Sequence, residues 1–170
     1  DYWVDGNRAY CVNPQMAGPE SGYYSSSAAS EISNQALAKV LYYGYGGDGD
    51  ITANVIGGDA SRRHVVTHTA SAIAYGDPNP YYNCTQAGID AANQFYAAAL
   101  AQPDLPAGSF RLIRIHAAEG MQDIAYLIID IQYGNLAVQK FSANPSISDN
   151  NACYSLEGAV FTVYQAGTDQ

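Results

Sequence analysis

The stretch "GMQDIAYL", residues 120–127, has the composition of a β-strand that is entered through a polar pair. Gln122 and Asp123 precede an apolar and aromatic run, and residues of that kind favour strands. Near the other end of the chain, "AYCVNP", residues 9–14, is a second strand-like piece and carries Cys11. These two segments carry the most chemical information, and the rest of the chain is assigned around them.

Helical periodicity accounts for the middle of the chain. The first predicted helix has Ser30 as its N-cap and Gly44 as its C-terminal stop. The second places Val65 and Val66 on a buried face, with other apolar residues at helical spacing. The third follows a loop that contains Cys84 and ends before a proline. The predicted helices are 30–44, 60–76 and 84–103.

After residue 109 the composition changes to segments rich in Val, Ile, Tyr and Phe, which predict strands. The predicted strands are 110–117, 121–132, 136–142 and 158–165. Residues 1–29, rich in Gly, Ser, Pro and Tyr, are predicted to be strand and loop. The predicted fold class is therefore α+β, helices first and sheet second, with a helical segment combined with an antiparallel β-sheet or β-sandwich-like core.

Charge and composition exclude several classes of partner. The chain carries 16 acidic and 7 basic residues, a formal net charge of -9, which argues against binding to nucleic acid or an anionic membrane. It has no run of eighteen apolar residues, so no membrane insertion is predicted. It opens with "DYWVDGNR" rather than a basic and then apolar leader, so any signal peptide is expected to have been removed. Fifteen tyrosines favour an extracellular binding surface.

The cysteines do not predict a metal site. Cys11, Cys84 and Cys153 are far apart and lack the close pairs of a zinc site. The glycine-rich "GYGGDGD", residues 44–50, lacks the Lys-Ser/Thr pair of a phosphate-binding loop, and no cofactor is predicted. In an oxidising compartment Cys84 and Cys153 can form a disulfide, and in a reducing one all three are small buried hydrophobes. A partner for Cys153 outside this sequence is a further alternative.

A thiol and an imidazole are also the reactive pair of cysteine hydrolases. Three histidines are available for such a pair, namely His64, His68 and His116. No Gly-rich oxyanion turn follows Cys11, and a loop begins at Asn13 where that class needs a helix N-terminus. A cysteine hydrolase is therefore disfavoured.

Two short motifs resemble those of a known family, in the same order along the chain. "YCVN", residues 10–13, resembles the aromatic-Cys-apolar-polar motif of the thioester domains on surface adhesins of Gram-positive bacteria. "MQDIA", residues 121–125, resembles their apolar-Gln-polar-apolar-apolar motif. Between them that family has a Thr-Gln-x-Ala motif on a helix, and "THTA", residues 67–70, stands in that place with His68 instead of Gln. The resemblance covers residues 1–133 and implies a thioester-domain fold.

The resemblance implies an internal γ-glutamyl thioester, formed when the Cys11 thiol attacks the side-chain carbonyl of Gln122 and ammonia leaves. It also implies that Thr67 and His68 orient this carbonyl or transfer protons. An incoming amine, such as a lysine on a host-surface protein, then forms an isopeptide bond through Gln122 and frees the thiol. His68 raises the alternative of acyl transfer to a glycan hydroxyl. Because the reaction occurs once, a covalent adhesin is implied and not a turnover enzyme.

The same resemblance implies a location and a domain organisation. The protein is expected to be extracellular and anchored to the cell wall, with the anchor outside this sequence and with this domain monomeric at the tip of a larger surface protein. Residues 134–170 resemble the opening strands of a collagen-adhesin B-type (Cna-B) domain, or form a C-terminal extension of the first domain. In Cna-B domains a lysine of the first strand can form an isopeptide bond, and Lys140 is the candidate. No such bond is predicted, because the acidic catalyst and the Asn-bearing final strand are missing.

Several alternatives remain at the level of single residues. Gln86, at the start of the third helix, and Gln139, in the downstream region, are weaker candidates for the acyl donor. Four tyrosines beside the motifs are either walls that shield the thioester from water or ordinary core, namely Tyr10, Tyr42, Tyr43 and Tyr126. The competing function is a non-covalent, Tyr-rich module that binds a protein or glycan, in which Cys11 is merely buried. A structural stalk segment is the third alternative.

Overall fold

The computed structural model describes residues 2–19, 28–130, 142–151, 153 and 160. The chain divides into two compact units, Asp1–Gln132 and Tyr133–Gln170. The first unit carries both motifs, and its regular structure is described first.

Five antiparallel strands of the first unit form one sheet. They are β1 (Tyr2–Val4), β2 (Asn7–Cys11), β3 (Ala29–Glu31), β4 (Phe110–Ile115) and β5 (Ile124–Ile129). Their order is β1-β2-β5-β4-β3, so β2 and β5, which carry or adjoin the two motifs, are neighbours. Together with the helices, this sheet confirms the α+β class. The expected order of helices first and sheet second is wrong, because β1, β2 and β3 all precede the helices described below.

A two-residue turn, Asp5-Gly6, joins β1 to β2. Both residues have positive φ, 48° and 81°, as in the type I′ turns that match the twist of a hairpin. Asp-Gly is favoured there because both residues tolerate the left-handed region. The turn sets the register in which Tyr2 pairs with Ala9. The predicted strand and loop at the N-terminus is therefore a hairpin with an explicit sequence signal.

Four helices follow β3 in the first unit, and three of them confirm predicted ones. They are α1 (Gln35–Tyr43), α2 (Thr52–Val55), α3 (Ala60–Tyr75) and α4 (Gln86–Ala101), of which the short α2 was not predicted. Helix residues such as Leu37 and Phe95 share one buried cluster with Leu112 of β4 and Ala125 of β5. This cluster is the main core, and it covers one face of the sheet.

The start of α1 differs from the prediction. Ser30 is not an N-cap, because it lies in β3 and pairs with Arg114 of β4. The cap is Asn34, whose side-chain oxygen accepts a hydrogen bond from the Leu37 amide at 2.9 Å. A strand pairing distant in sequence has therefore overridden a local capping signal. The predicted stop at Gly44 is confirmed.

The ends of α3 follow from its capping residues. Asp59 accepts a hydrogen bond from the Arg62 amide at 2.8 Å, and Gly76 ends the helix in the left-handed region with φ 88°. The predicted end is confirmed, but one predicted core position is wrong. Val66 is 3% exposed, whereas Val65 is 52% exposed. Successive residues of a helix are rotated by about 100°, so the two side chains cannot both face the core.

The third predicted helix is α4. Its N-cap is Thr85, whose hydroxyl accepts a hydrogen bond from the Gly88 amide at 3.2 Å. Cys84 lies in the preceding loop, as predicted.

The sheet face away from the helices carries a second buried cluster. Successive side chains of a strand point to opposite faces, so Tyr10 and Val12 join the helix-side core while Cys11 joins this second cluster. Its buried members are Ala9, Cys11, Ile113, Ile115, Ile124 and Tyr126. Cys11 is therefore separated from the helical layer by the sheet.

The downstream predictions remain mostly outside the described residues. The predicted strands 110–117 and 121–132 correspond to the shorter β4 and β5. Those at 136–142 and 158–165 lie outside the described part of the chain, except for Ser142 and Val160, and neither of these is in a strand. The Cna-B resemblance therefore stays a prediction.

The described residues of the second unit contain one short helix, α5 (Pro145–Ser148). Across the described part of both units, no helix has the length and apolar character needed to cross a membrane.

His68 is largely buried on α3. Its Nε2 atom has no hydrogen-bond partner among the described residues. Burial lowers the pKa of His68 to about 4, and the neighbouring His64 adds to this effect. The imidazole is therefore neutral near physiological pH.

The exposure of the two valines on α3 predicts opposite responses to truncation. We expect Val66→Ala to lower the free energy of unfolding by about 2 kcal/mol, because two buried methyl groups are lost. Val65→Ala is the matched control and should change it by less than about 0.5 kcal/mol. Urea unfolding followed by circular dichroism measures both. Equal losses in the two variants would contradict the helix orientation.

The buried, neutral His68 predicts a pH dependence of stability. Its unfolded pKa is about 6.5. Between pH 4 and 6.5 the imidazole of His68 binds a proton in the unfolded chain but not in the folded one. The free energy of unfolding therefore keeps its full value above pH 6.5 and decreases as the pH falls towards 4. We expect His68→Gln to remove about 2 kcal/mol of this pH-dependent change in the free energy of unfolding. The control Val65→Ala should keep the wild-type slope, and a His68→Gln variant with an unchanged slope would contradict the assignment.

Candidate functional site

Cys11 and Gln122 are distant in sequence but lie beside each other in the sheet. Cys11, at the end of β2, pairs with Ile124, at the start of β5. The ladder continues by one bond, from the Val12 amide to the Asp123 carbonyl at 3.0 Å. Side chains alternate along strands, so Gln122 and Ile124 face the same side as Cys11. Diagonal neighbours across such a pair are about 7 to 8 Å apart, which is within reach of long side chains.

The loop after β2, residues 13–18, holds Gln122 at two points. The main-chain amide of Gln122 donates to the Ala17 carbonyl at 2.8 Å. Its side-chain Nε2 donates to the Pro14 carbonyl at 3.0 Å. Ala17 also forms an isolated parallel bridge with Met121. The side-chain carbonyl carbon of Gln122 is therefore held at the end of β2, where Cys11 is placed.

The Cys11 thiol is buried, with 4% of the residue exposed. Burial raises its pKa to about 11, and a hydrogen bond from Tyr2 lowers the pKa in the opposite direction without cancelling that effect. The thiol is therefore protonated at neutral pH and shielded from bulk solvent. A cysteine of this kind does not react with dissolved electrophiles readily and depends on a partner that the fold brings to it.

Tyr2 is a residue of the site that the sequence analysis missed. It packs from β1 against the buried cluster that contains Cys11, and its hydroxyl is close enough to the thiol to lower the pKa of Cys11. A Cβ atom added at Gly18 would lie 2.7 Å from the Tyr2 hydroxyl and 3.9 Å from Gln122 Oε1. The Asp5-Gly6 turn, which fixes the hairpin register, is the sequence signal that predicts this contact.

A buried carboxylate, Asp123, follows Gln122 and was singled out only as its neighbour in the sequence. It is 6% exposed, and His116 Nδ1 lies 2.7 Å from its Oδ1. The Tyr75 hydroxyl donates to its Oδ2 at 3.3 Å. The guanidinium of Arg114 lies 3.7 Å from the same oxygen and donates to the Tyr75 hydroxyl at 3.3 Å. Such partners are what a buried carboxylate requires.

The Asp123 network fixes the backbone next to Gln122. The main-chain amide of Asp123 donates to Asn13 Oδ1 at 2.7 Å, which ties it to the loop after β2. Asp123 alternates with Gln122, so its carboxylate lies on the helix side while the glutamine faces the Cys11 side. An acid placed between Gln122 and the apolar run that begins at Ile124 was the sequence signal for this network.

Thr67 and His68 lie on α3, in the helical layer. The Thr67 hydroxyl accepts from the Tyr45 amide at 2.9 Å and donates to the Arg63 carbonyl at 3.0 Å. It therefore ties the turn after α1 to α3. Within the described part of the chain, no hydrogen bond joins either residue to Cys11 or Gln122. The structure brings the predicted thioester pair together but does not bring this helical pair into bonding contact with it.

The four tyrosines beside the motifs are dispersed. Tyr126 packs in the cluster with Cys11. The Tyr10 hydroxyl donates to the Tyr45 carbonyl at 2.6 Å on the other face, and the Tyr43 hydroxyl donates to the Pro103 carbonyl at 3.2 Å. Tyr42 lines a separate cleft of about 300 Å³. Of the four tyrosines, Tyr126 is therefore the one that these contacts place beside the Cys11 thiol.

The cleft lined by Tyr42 lies at the far end of β2 and β5 from Cys11. Arg8 is central to it, with its guanidinium carbon 4.8 Å from the Trp3 ring and 4.9 Å from the Tyr45 ring. Trp3 is 59% exposed. This cleft is the place where a reversible ligand of the competing binding-module function would sit.

The remaining candidates are separate from the pair. The Gln86 side chain donates to Asp90 Oδ1 at 2.9 Å on the exposed surface of α4. Gln139 and Lys140 lie outside the described residues. Cys11, Cys84 and Cys153 are free thiols in the structure. Cys84 and Cys153 belong to different units, and a disulfide between them stays a prediction. Among the described residues, no group of three or more His, Cys, Asp or Glu side chains is arranged to hold a metal ion.

Structural comparison finds several solved domains with low sequence identity. The N-terminal thioester domain of a surface protein from Clostridium perfringens, solved as a cysteine-to-alanine mutant, is 16% identical, with 71% of this chain and 81% of that chain covered and a TM-score of 0.49. The N-terminal domain of the Streptococcus pyogenes pilus tip adhesin Cpa is 14% identical, with 72% of this chain and 77% of that chain covered and a TM-score of 0.45. The Bacillus anthracis TIE protein is 12% identical, with 75% of this chain and 33% of that chain covered and a TM-score of 0.44.

Sequence comparison gives a direct assignment. No curated protein sequence matches the chain significantly. The family model described as thioester domain matches residues 1–106, a range that includes Cys11, Thr67 and His68 and ends before Gln122. Since this match spans more than half of the 170 residues, the chain belongs to the thioester domain family.

Proposed function

We propose that this chain is the covalent-capture domain of an extracellular adhesin, and that its reactive group is a thioester between Cys11 and Gln122. The observation that carries the proposal is the β2–β5 register, which places the thiol and the side-chain amide on one sheet face at one strand end. Membership of the thioester domain family supports the same chemistry.

Formation of the bond needs positioning more than acid–base strength. The Cys11 sulfur attacks the Gln122 side-chain carbonyl, the carbon–sulfur bond forms, the carbon–nitrogen bond breaks and ammonia leaves. An amide is a poor electrophile, and proximity of this kind can supply about 7 kcal/mol or more. The loop at residues 13–18 and the Asp123 network support such positioning, because they hold the backbone on both sides of the reacting groups.

The thioester must then persist in water until a target arrives. Cys11 lies among buried apolar and aromatic side chains, including Ile124 and Tyr126. Such surroundings limit the access of water and favour a long-lived acyl donor. His68 lies in the helical layer and is neutral near physiological pH, so it brings no positive charge to these surroundings.

Capture is a single acyl transfer. An amine on a host-surface protein attacks the Gln122 carbonyl carbon, forms an isopeptide bond and releases the Cys11 thiol. The acyl group is consumed, so the protein acts once and is not a turnover enzyme. A glycan hydroxyl is the less favoured acceptor, because no bond among the described residues connects His68 to the pair.

The chain offers few amines that compete with an external target. It contains two lysines, Lys39 and Lys140. Lys39 is 5% exposed, and its ammonium donates to the Leu100 carbonyl at 2.6 Å and to Asp104 at 2.9 Å. A buried ammonium paired in this way is not a free nucleophile. The other five basic residues are arginines, which stay protonated.

The proposed setting follows from the same family assignment. The domain would be displayed at the tip of a cell-wall-anchored surface protein of a Gram-positive bacterium, monomeric and followed by a Cna-B-type domain that begins near residue 134.

The mass of the intact protein tests the thioester directly. We expect the purified protein to be lighter than its sequence by one ammonia, and methylamine to add to Gln122 and release a thiol at Cys11. Mass spectrometry before and after methylamine, with peptide mapping, measures both changes.

Three variants serve as controls for this measurement. Cys11→Ala and Gln122→Ala should each have full mass and should not take up methylamine, whereas Gln86→Ala should behave as wild type. Full mass and a free Cys11 in the wild-type protein would exclude the thioester. A non-covalent module, with its ligand in the cleft between Trp3 and Tyr45, would then be the better explanation.

A further inference from the structure

The β1–β2 hairpin brings Tyr2 to the sheet face that carries Cys11. Tyr2 pairs with Ala9, and Cys11 is two residues further along β2 on the same face. This is the diagonal relation in which a long aromatic side chain reaches across to the neighbouring strand. Tyr2 packs against the cluster that contains Cys11, where its hydroxyl lowers the pKa of the Cys11 thiol.

Gly18 provides the space for this hydroxyl. A Cβ atom at position 18 would lie 2.7 Å from the Tyr2 hydroxyl oxygen, closer than real Cβ contacts allow. The same point is 3.9 Å from Gln122 Oε1, so the hydroxyl and the acyl oxygen flank one small volume. Gly18 does not adopt a left-handed conformation. Glycine is therefore needed at this position because it has no side chain, and not because its backbone is flexible.

The sulfur of Cys11 needs such a donor at two moments. It becomes negatively charged when the thiol attacks Gln122, and again when it leaves the acyl carbon during capture. Burial disfavours the thiolate, and a hydrogen bond to a charged group is among the stronger ones in proteins. A neutral hydroxyl supplies this stabilisation without bringing a competing nucleophilic amine into the site.

We propose that Tyr2 is a catalytic residue whose hydroxyl stabilises the Cys11 sulfur while the thioester forms and while it is opened. In the opening step, the amine nitrogen bonds to the Gln122 carbonyl carbon and the carbon–sulfur bond breaks, with its electron pair going to sulfur. The nitrogen loses one proton to solvent, and the sulfur takes one from solvent. Tyr2 keeps its own proton and donates the hydrogen bond throughout. The proposal rests on the thioester function proposed above.

Two variants remove the donor in independent ways. Tyr2→Phe deletes the hydroxyl and keeps the ring, and Gly18→Ala displaces the hydroxyl by its Cβ. We expect each to slow the reaction of the thioester with methylamine about 10- to 100-fold, the effect of losing one hydrogen bond to a charged group. Tyr10→Phe is the matched control, because it removes a buried tyrosine hydroxyl on the opposite sheet face, and it should react at the wild-type rate.

A second measurement does not require the thioester. In a Gln122→Ala background the Cys11 thiol stays free, and its alkylation by iodoacetamide as a function of pH reports its titration. We expect adding Tyr2→Phe to shift this profile to higher pH, a change that loss of packing alone would not produce. Adding Tyr10→Phe should leave the profile unchanged.

The outcomes separate this proposal from the proposed function. A wild-type protein of full mass would count against the thioester, while the alkylation profile would still decide the role of Tyr2. A folded Tyr2→Phe protein that fails to lose ammonia would support the proposal, because the same donor acts in formation. A Tyr2→Phe thioester that opens at the wild-type rate, or an unshifted alkylation profile, would overturn it.

Discussion

The antiparallel pairing of β2 with β5 is the interaction on which the rest of the site depends. It connects the beginning of the chain with a strand near the end of the first unit, and it places Cys11 opposite Ile124. Because side chains alternate, a slip of one residue would move Cys11 to the helix side and separate it from Gln122. The helical core favours this register, since Tyr10, Val12 and Ala125 are buried against the helices only when Cys11 faces away from them.

The end of this strand pair has two different environments on its two sides. On the helix side the buried Asp123 contacts His116, Arg114 and Tyr75, and this network fixes the backbone beside Gln122. On the other side the sulfur of Cys11 lies among apolar residues. Charged groups thus position the backbone on one side, while apolar residues surround Cys11 on the other. The proposed thioester would need that separation, because water and free amines are its competitors.

The described contacts of Thr67 and His68 on α3 support the fold and do not reach Cys11 or Gln122. Thr67 joins α3 to the turn after α1, and His68 is a neutral, largely buried imidazole. The motif "THTA" resembles the family's Thr-Gln-x-Ala at the level of sequence, yet the hydroxyl of its threonine is occupied by backbone groups of Tyr45 and Arg63. In the described residues, the group that bonds to the sulfur comes from Tyr2 of β1.

Local patterns determined much of the fold and singled out the pair proposed to react. Helical periodicity located α1, α3 and α4, and Gly44 and Gly76 marked two helix ends, because these signals depend on residues within one or two turns. The short motifs around Cys11 and Gln122 singled out a thiol and an amide that the β2–β5 pairing brings to one end of the sheet.

The tertiary structure decided what depends on distant neighbours. Ser30 carries a capping side chain but pairs with Arg114 in the sheet. Tyr2 became part of the site through two separate facts, the register set by the Asp5-Gly6 turn and the space left at Gly18. The turn could be recognised from the sequence, whereas the space could not. Packing at one point joins three segments far apart along the chain, and no local pattern records which atoms will meet there.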